Sequence, residues 1–310
     1  MNCMFGIDIG GTNVKMAVVG EGGEVLNRGM IPTEPSTGPR KTASRVAEWL
    51  RLQESLPGDV RGAGVGCAGL INHQEGILYS SPNLPGWEEA RLMDIFSEEL
   101  SLPVVIDNDV NCAAYGEYIF GAGRGIGSFV CITLGTGVGG GIIVDGRLYR
   151  GESGLAGELG HTKIVAGGDL CSCGSRGCLE AYIRAEAIVE RALGMIADGG
   201  ESVLSENESV TVKDISEAAD RGDEVATETL RVTGWYLGIG LSNLVHLINP
   251  GVIAVGGGVA KAGPYILDPA LDSLAEHVMN EILMDVSIVP AELGNNASSI
   301  GAAMLSSEKS

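Results

Sequence analysis

The stretch Phe129 to Gly151, FVCITLGTGVGGGIIVDGRLYRG, repeats the pattern of Met4 to Gly29, MFGIDIGGTNVKMAVVGEGGEVLNRG. Each reads as an apolar strand, a Gly-Thr turn, a second strand, a glycine turn and a third strand. An internal repeat on this scale restricts the chain to folds made of two copies of one α/β unit facing each other. Two opposed turns of that kind can clamp one ligand. A length of 310 residues fits the same picture, being long for one compact core and suited to two lobes with a cleft between them.

Around the two meanders the periodicity predicts the remaining elements. Ala43, Val46, Ala47 and Leu50 share one helical face from Pro39 to about Leu56-Pro57-Gly58. Gly62 to Cys67 reads as a strand, and a short helix is expected from about Glu88 to Leu100. A buried strand at Val104 to Ile106 and a helix through about Tyr118 complete the first half. In the second half, helices are expected over Arg184 to Met195, Val212 to Ala219 and Val225 to Ile248, the last apolar enough to be buried all round. Asn249-Pro250-Gly251 stops it, VIAV forms a strand, and a strand at Val286 to Val289 precedes an alanine-rich tail from Ala297 to Leu305.

Three glycine-rich turns each follow an apolar strand: Gly10-Gly11-Thr12 with Lys15, Gly135-Thr136-Gly137, and Gly256-Gly257-Gly258. Glycine lets backbone N–H groups point at phosphate oxygens, and the threonine hydroxyls add donors. Any one of these turns is equally an ordinary hairpin. Three together, two of them repeats, point to a nucleotide. Neither a P-loop nor a Rossmann fingerprint is matched, so the phosphate grip is of another design. Asp8, at the end of the first strand, is placed either to hold Mg²⁺ through water or to cap the turn. The 48 glycines fall mainly between β-like runs, where backbone approaches something closely.

Between Gly157 and Glu180 lie His161, Cys171, Cys173 and Cys178, with glycines at 174 and 177 to turn the thiols together. One imidazole and three thiolates make a tetrahedral zinc set with no open position, so the metal is expected to brace the loop. A redox pair is the alternative, and glycine-turned Cys-x-Cys-x4-Cys favours metal. Cys3, Cys67, Cys112 and Cys131 sit in apolar surroundings and read as core. Glu158 and Glu180 flank the ligands, and a zinc set does not need them. Asp107-Asn108-Asp109 ends a buried strand, where α/β sheets present ligand-facing groups; the tripeptide reads as a helix N-cap or as a carboxylate that accepts a hydroxyl proton. Asn108, Asp109, Glu158, Glu180 and His161 together offer the donors and acceptors that a polyhydroxylated neutral ligand requires.

These segments resemble, in order, the motifs of the ROK family of bacterial sugar kinases and repressors: Asp8-x-Gly-Gly-Thr-x-x-Lys15, Asn108-Asp109-x-Asn111, Leu134-Gly-Thr-Gly-Val-Gly-Gly, Gly157-Glu-x-Gly-His161, Cys171-x-Cys-Gly-x-x-Gly-Cys-x-Glu180 and Gly256-Gly-Gly. The resemblance runs essentially end to end. It implies a two-lobed, duplicated actin-like sugar kinase fold, ribonuclease H-like, with central mixed sheets. The expected lobes are residues 1–118 plus 297–310, and residues 119–296 with the zinc loop. It further implies that Asp109 is the catalytic base and that Asn108, Glu158, His161, Glu180 and Gly69 contact the sugar. Gly10, Gly11, Thr12, Lys15, Thr136, Gly137, Gly257 and Gly258 are expected at the nucleotide, with Asp8 on its Mg²⁺. His161, Cys171, Cys173 and Cys178 are expected on structural zinc. Asp107 departs from the glutamate common before the Asn-Asp pair in glucokinase-like members, a change expected to affect packing alone.

The activity so implied is ATP-dependent phosphorylation of a hexose at its 6-hydroxyl. Asp109 takes the proton as the oxygen attacks the γ-phosphate in line, the turn amides and Lys15 spread the charge, and lobe closure excludes water. Glucose is the expected acceptor, because Pro82-Asn-Leu-Pro-Gly-Trp87 and the Gly157-Glu158 pair resemble glucokinases; N-acetylmannosamine or N-acetylglucosamine is the rival. A non-catalytic sugar sensor is opposed by the presence of Asp8, Lys15 and Asp109. A sugar-responsive repressor is opposed by a first strand expected by residue 4 and by a net charge of −20, which also disfavours nucleic acid and anionic membranes. MNCMFGIDIGG has no basic start or cleavage site, so the protein is expected to be cytoplasmic, and the family resemblance implies a homodimer or tetramer.

Overall fold

The computed structural model describes residues 2–53, 56, 58–283 and 285–307. β1 (Asn2–Ile9), β2 (Asn13–Gly20) and β3 (Val25–Pro32) form the expected antiparallel meander, and α1 (Pro39–Arg51) follows with Ala43, Val46 and Ala47 buried. α1 stops at Arg51, short of the expected end; Pro57 lies outside the described residues. Next come β4 (Asp59–Cys67), a small hairpin of β5 (Leu70–Asn72) and β6 (Ile77–Ser80), and α2 (Leu92–Leu100). α2 begins later than Glu88 because Trp87 is buried with its indole N–H donating to the Pro35 carbonyl at 2.9 Å, and Ala90 bridges to Leu78. β7 (Val104–Asn108) runs directly into α3 (Asp109–Phe120).

The second meander is β8 (Phe129–Leu134), β9 (Val138–Val144) and β10 (Arg147–Leu148). After the cysteine loop come α4 (Glu180–Ile183), α5 (Ala185–Ala197), α6 (Val212–Asp220) and α7 (Glu224–Ile248). The chain then passes through β11 (Val252–Gly256), α8 (Pro264–His277), α9 (Asn280–Leu283) and β12 (Ser287–Pro290) to α10 (Ala297–Ser307). α7 is not buried all round: Leu230, Leu237, Leu241 and Val245 are buried, whereas Leu247 is 82% exposed. Its apolar residues outnumber the positions one packed face can cover.

The duplication is visible in the strand order. One sheet runs β3-β2-β1-β4-β7 and the other β10-β9-β8-β11-β12, which is the same scheme twice. In each, an antiparallel meander is extended by parallel strands: β4 and β7 beside β1, β11 and β12 beside β8. The chain is thus the duplicated α/β fold that the repeat predicts, with the mixed sheets that the family resemblance implies. Two compact units result, one of residues 1–125, 141–157 and 292–310, the other of residues 126–140 and 158–291.

In the first unit, period-two alternation sorts β1 between two cores. Cys3, Phe5, Ile7 and Ile9 join the cluster containing Val46, Trp87 and Phe96, while Met4 packs with Ile300 and Ala303 of α10. Gly6 and Gly64 lie where α10 crosses the sheet; a Cβ on either would sit 1.7 Å from the Ser299 or Ala302 carbonyl oxygen. Much of the glycine content therefore serves backbone approaching backbone inside the fold, as well as turns. Close seating of α10 brings Ser298 to the C-terminal end of β1, where Asp8 emerges.

Candidate functional site

The register of the first sheet sets Lys15, Asp8, Gly66 and Asp107 in one row across β2, β1, β4 and β7, with Cys67 opposite Asn108 one step further on. Paired residues on adjacent strands face the same side, so Asp8 and Asp107 are presented together. Asp8 accepts from Lys15 Nζ at 3.3 Å and from the Ser298 hydroxyl at 3.0 Å. Ser298 was not singled out in the sequence; it stands in an alanine- and serine-rich tail, and only the packing of α10 aims it.

Asp109 is the first residue of α3, and Asn108 is its N-cap, its side-chain oxygen accepting from the Val110 and Asn111 amides at 2.8 and 3.2 Å. The Asn108 amide nitrogen donates to the Gly69 carbonyl at 3.2 Å. Gly69 has φ +135°, and a Cβ there would lie 2.4 Å from the Ser80 carbonyl oxygen, so glycine is required. Asp109 retains some exposed surface, but its carboxyl is enclosed, and burial together with the Asp8 charge pushes it up to about 7. The Val110 and Asp109 amides and Lys15 pull the other way. Cys67 and Cys112, buried against the same spot, are core thiols pushed well up by burial.

Asp107 does more than pack. It is 4% exposed, and its Oδ1 accepts from the Asn108 amide and from Asn111 Nδ2, both at 2.8 Å, while its Oδ2 accepts from Arg150 Nε at 2.7 Å. The guanidinium partner, distant in sequence, was not anticipated from the chain.

The Gly10-Gly11-Thr12 turn is held by the Gly10 amide donating to Asn13 O at 3.0 Å and by Thr33 Oγ1 donating to Gly10 O at 2.6 Å. Thr12 is exposed.

In the second unit, one donor atom from each of His161, Cys171, Cys173 and Cys178 lies within 4.8 Å of the others. Bonds of about 2.3 Å to sulfur and about 2.0 Å to nitrogen at tetrahedral angles place sulfurs about 3.8 Å apart and sulfur and nitrogen about 3.5 Å apart. Cys173 and Cys178 sulfurs are 3.7 Å apart, and Cys171 Sγ is 3.6 Å from His161 Nδ1, so the set fits a tetrahedral metal. Lys163 Nζ, 2.8 Å from Cys178 Sγ, offsets the surplus negative charge of three thiolates. His161 Nε2 faces away from the sulfurs, 3.8 Å from a Glu158 oxygen. Glu158 keeps half its side chain in solvent, so burial raises its carboxyl pKa modestly, with His161 opposing and Glu180 adding.

Glu180 is buried. One of its oxygens accepts from the Val138 amide at 3.0 Å and the other from the Ser172 hydroxyl at 2.7 Å. It therefore ties the cysteine loop to the turn between β8 and β9, a link the sequence did not suggest. That turn is closed by the Gly135 amide donating to Gly137 O at 3.0 Å and leaves Thr136 exposed. Gly257 and Gly258 are exposed at the end of β11; Gly257 has φ +91°, and a Cβ there would lie 2.2 Å from the Leu134 carbonyl oxygen.

The first unit thus brings Asp8, Lys15, Gly69, Asn108 and Asp109 into one cluster, and the second brings Glu158, His161, Glu180 and the three cysteines into another. Among the described residues no helix is long and apolar enough to cross a membrane.

Comparison with known proteins places these clusters in context. The ROK family profile matches residues 4–309. A glucokinase of Halalkalibacterium halodurans is 38% identical over 97% of this chain and 93% of its own. A glucokinase of Streptomyces coelicolor is 37% identical over 99% of this chain and 98% of its own. Among solved structures, a ROK family glucokinase from Streptomyces griseus, in complex with glucose and AMPPNP, superposes with a TM-score of 0.84 at 36% identity, covering 99% of both chains.

Proposed function

The chain belongs to the ROK family, and from that premise we propose how it acts as an ATP-dependent glucose kinase. The observation that carries the mechanism is Asp109: an enclosed carboxylate at the start of α3, titrating near 7, beside a second carboxylate and an ammonium. A general base works best when its pKa lies near the working pH, because it is then ionised and still basic.

Asp109 accepts the proton of the glucose 6-hydroxyl as that oxygen attacks the γ-phosphate of ATP. Asn108 and Gly69 hold one side of the sugar, the Asn108 amide being oriented by its bond to Gly69 O. Glu158, His161 through Nε2, and Glu180 accept or donate to the remaining hydroxyls; Glu180 Oε2, which takes the Val138 amide, keeps a lone pair for one of them. The amides of Gly10, Gly11 and Thr12, with Lys15, and the exposed Thr136, Gly137, Gly257 and Gly258 take the phosphates and the nucleotide. Asp8 is the residue that would hold magnesium bound with ATP, which would supply charge neutralisation at the phosphates. His161, Cys171, Cys173 and Cys178 would hold zinc, which would supply rigidity to the loop that carries Glu158 and Glu180.

The same reading has the enzyme acting in the cytoplasm as a homo-oligomer, in glycolysis, without nucleic acid or membrane. A net charge of −20 supports the last point. Coupled assays with glucose, mannose, N-acetylmannosamine and N-acetylglucosamine test the acceptor: glucose is expected to have the highest kcat/KM, and preference for an acetamido sugar overturns it. Asp109→Asn tests the base. Turnover is expected to fall at least about 10³-fold while glucose still binds in calorimetry, and a variant that keeps turnover removes Asp109 from the role.

A further inference from the structure

The Asp107 carboxylate lies beneath the catalytic turn and touches no expected substrate atom, yet it is the best-connected acceptor in the first unit's site. Its two oxygens take the Asn108 amide, the Asn111 side chain and Arg150 Nε, all at 2.7–2.8 Å. Asn108 and Asn111 are the residues either side of Asp109-Val110, so these bonds fix the backbone that aims Asp109. Asn111 is 3% exposed and has no hydrogen-bond partner for its Oδ1 among the described residues. Leaving a buried acceptor unpaired costs stability, and the fold accepts that cost in order to give the Asn111 amide to Asp107.

We infer that Arg150, acting through Asp107, is a positioning residue for phosphoryl transfer, holding the Asn108-Asp109 turn in place and neutralising the carboxylate beneath it. This rests on Asp109 being the base. A buried carboxylate stripped of its partner is strongly unfavourable, so without Arg150 the Asp107 side chain turns away or takes up a proton. Turning away releases the Asn108 amide and Asn111, whereas a proton on Oδ2 weakens the two bonds to Oδ1 by removing the carboxylate charge. Should Asp107 stay charged instead, Asp109 has an uncompensated carboxylate behind it in addition to Asp8, which Lys15 pairs.

The groups facing Asp109 are Asp8 on β1, Lys15 on β2, Cys67 on β4, and Cys112 and the Val110 amide on its own helix, with Asp107 and Arg150 behind. At Cys112 the charges of Asp107 and Arg150 act in opposite directions, Asp107 pushing the thiol up and Arg150 pulling it down. Removing the guanidinium therefore adds net negative potential on that side of the site, which favours the protonated form of a neighbouring carboxylate. The Arg150 stem also lines a cavity of about 170 Å³ with Val105 and Leu305, so methionine, which conserves the stem, is the substitution that removes charge with little change of volume.

The test measures kcat and KM for glucose and ATP against pH in the full chain, for Arg150→Met, Arg150→Lys and the double variant Arg150→Met with Asp107→Asn. Arg150→Met is expected to lose about tenfold or more in kcat with KM for glucose changed less than about threefold. The acid limb of its kcat profile is expected to rise by about half a pH unit. The double variant, with neither charge, is expected to return the limb to the wild-type position and recover most of kcat. Arg150→Lys keeps the charge and loses the Nε geometry, so its limb stays and its kcat falls.

An Arg150→Met enzyme that melts earlier but keeps kcat and limb overturns the inference, as does a double variant no better than the single one. Should Arg150→Met fail to fold, Arg150→Lys with wild-type kcat or a double variant with a displaced limb overturns it equally. Asp109→Asn run in parallel separates the two readings: if it is inactive, a negative result at Arg150 counts against this inference alone.

Discussion

Asp109 titrates near 7 for a reason that also fixes the sign of its effect on stability. Its pKa in the fold lies above the ordinary value of 3.8, because burial and Asp8 penalise the charge. The favourable contribution of the protonated form is fully present below the ordinary value and is lost as pH rises through about 7. Two outcomes are expected. kcat/KM for glucose should reach half its plateau near pH 7 and fall about tenfold per pH unit below that, read from a pH–rate profile at limiting glucose. Asp109→Asn, which cannot ionise, should melt above wild type at pH 8, and the gap should close toward pH 5, read by scanning calorimetry. At this scale the sequence offered the candidates for chemistry, because Asp, Asn and His are visible as residue types. It did not show Ser298 on Asp8 or Arg150 on Asp107. Those partners are 290 and 43 residues away, and no local pattern records such a contact.

At the scale of elements, the cysteine loop and the helix α10 make separate predictions. Cys171→Ser breaks the four-donor set, so bound zinc measured by elemental analysis should fall from about one per chain toward zero. The melting temperature should fall by about 5 °C or more, and a chelator should destabilise wild type but not the variant. A Cβ on Gly301 would lie 1.7 Å from the Cys112 carbonyl oxygen, so Gly301→Ala must push α10 off α3 and should cost more than about 3 kcal/mol. Gly194 in α5 has nothing within 4 Å of its would-be Cβ, and Gly194→Ala should gain about 0.5–1 kcal/mol from helix propensity alone. Urea titration of both variants checks the contrast. Strand and helix identities were legible because periods of two and 3.6 are local, whereas boundaries shifted where a tertiary contact intervened. Trp87 reaching Pro35 delays α2, and α7 leaves Leu247 in solvent although its composition reads as buried.

For the molecule as a whole, a net charge of −20 makes self-repulsion a general term that salt relieves. Raising sodium chloride from about 0.02 M to about 0.5 M should raise the melting temperature by a few degrees, because the screening length falls from about 20 Å to about 4 Å. An unchanged or falling melting temperature would show that the specific ion pairs, such as Arg150 with Asp107, outweigh the general repulsion. The sequence by itself determined that this chain is a duplicated α/β fold with glycine turns after its strands and one imidazole-and-thiol loop. Repeats, periodicity and ligand spacing are written in neighbouring residues. Only the tertiary structure decided that residues 141–157 group with the first compact unit although 141–151 belong to the second repeat. It alone also brought Arg150 to Asp107 under the Asn108-Asp109 turn and engaged Glu180 with both Val138 and Ser172. Which distant side chains meet is settled by how close-packed elements seat on one another, and that is a property of the whole chain at once.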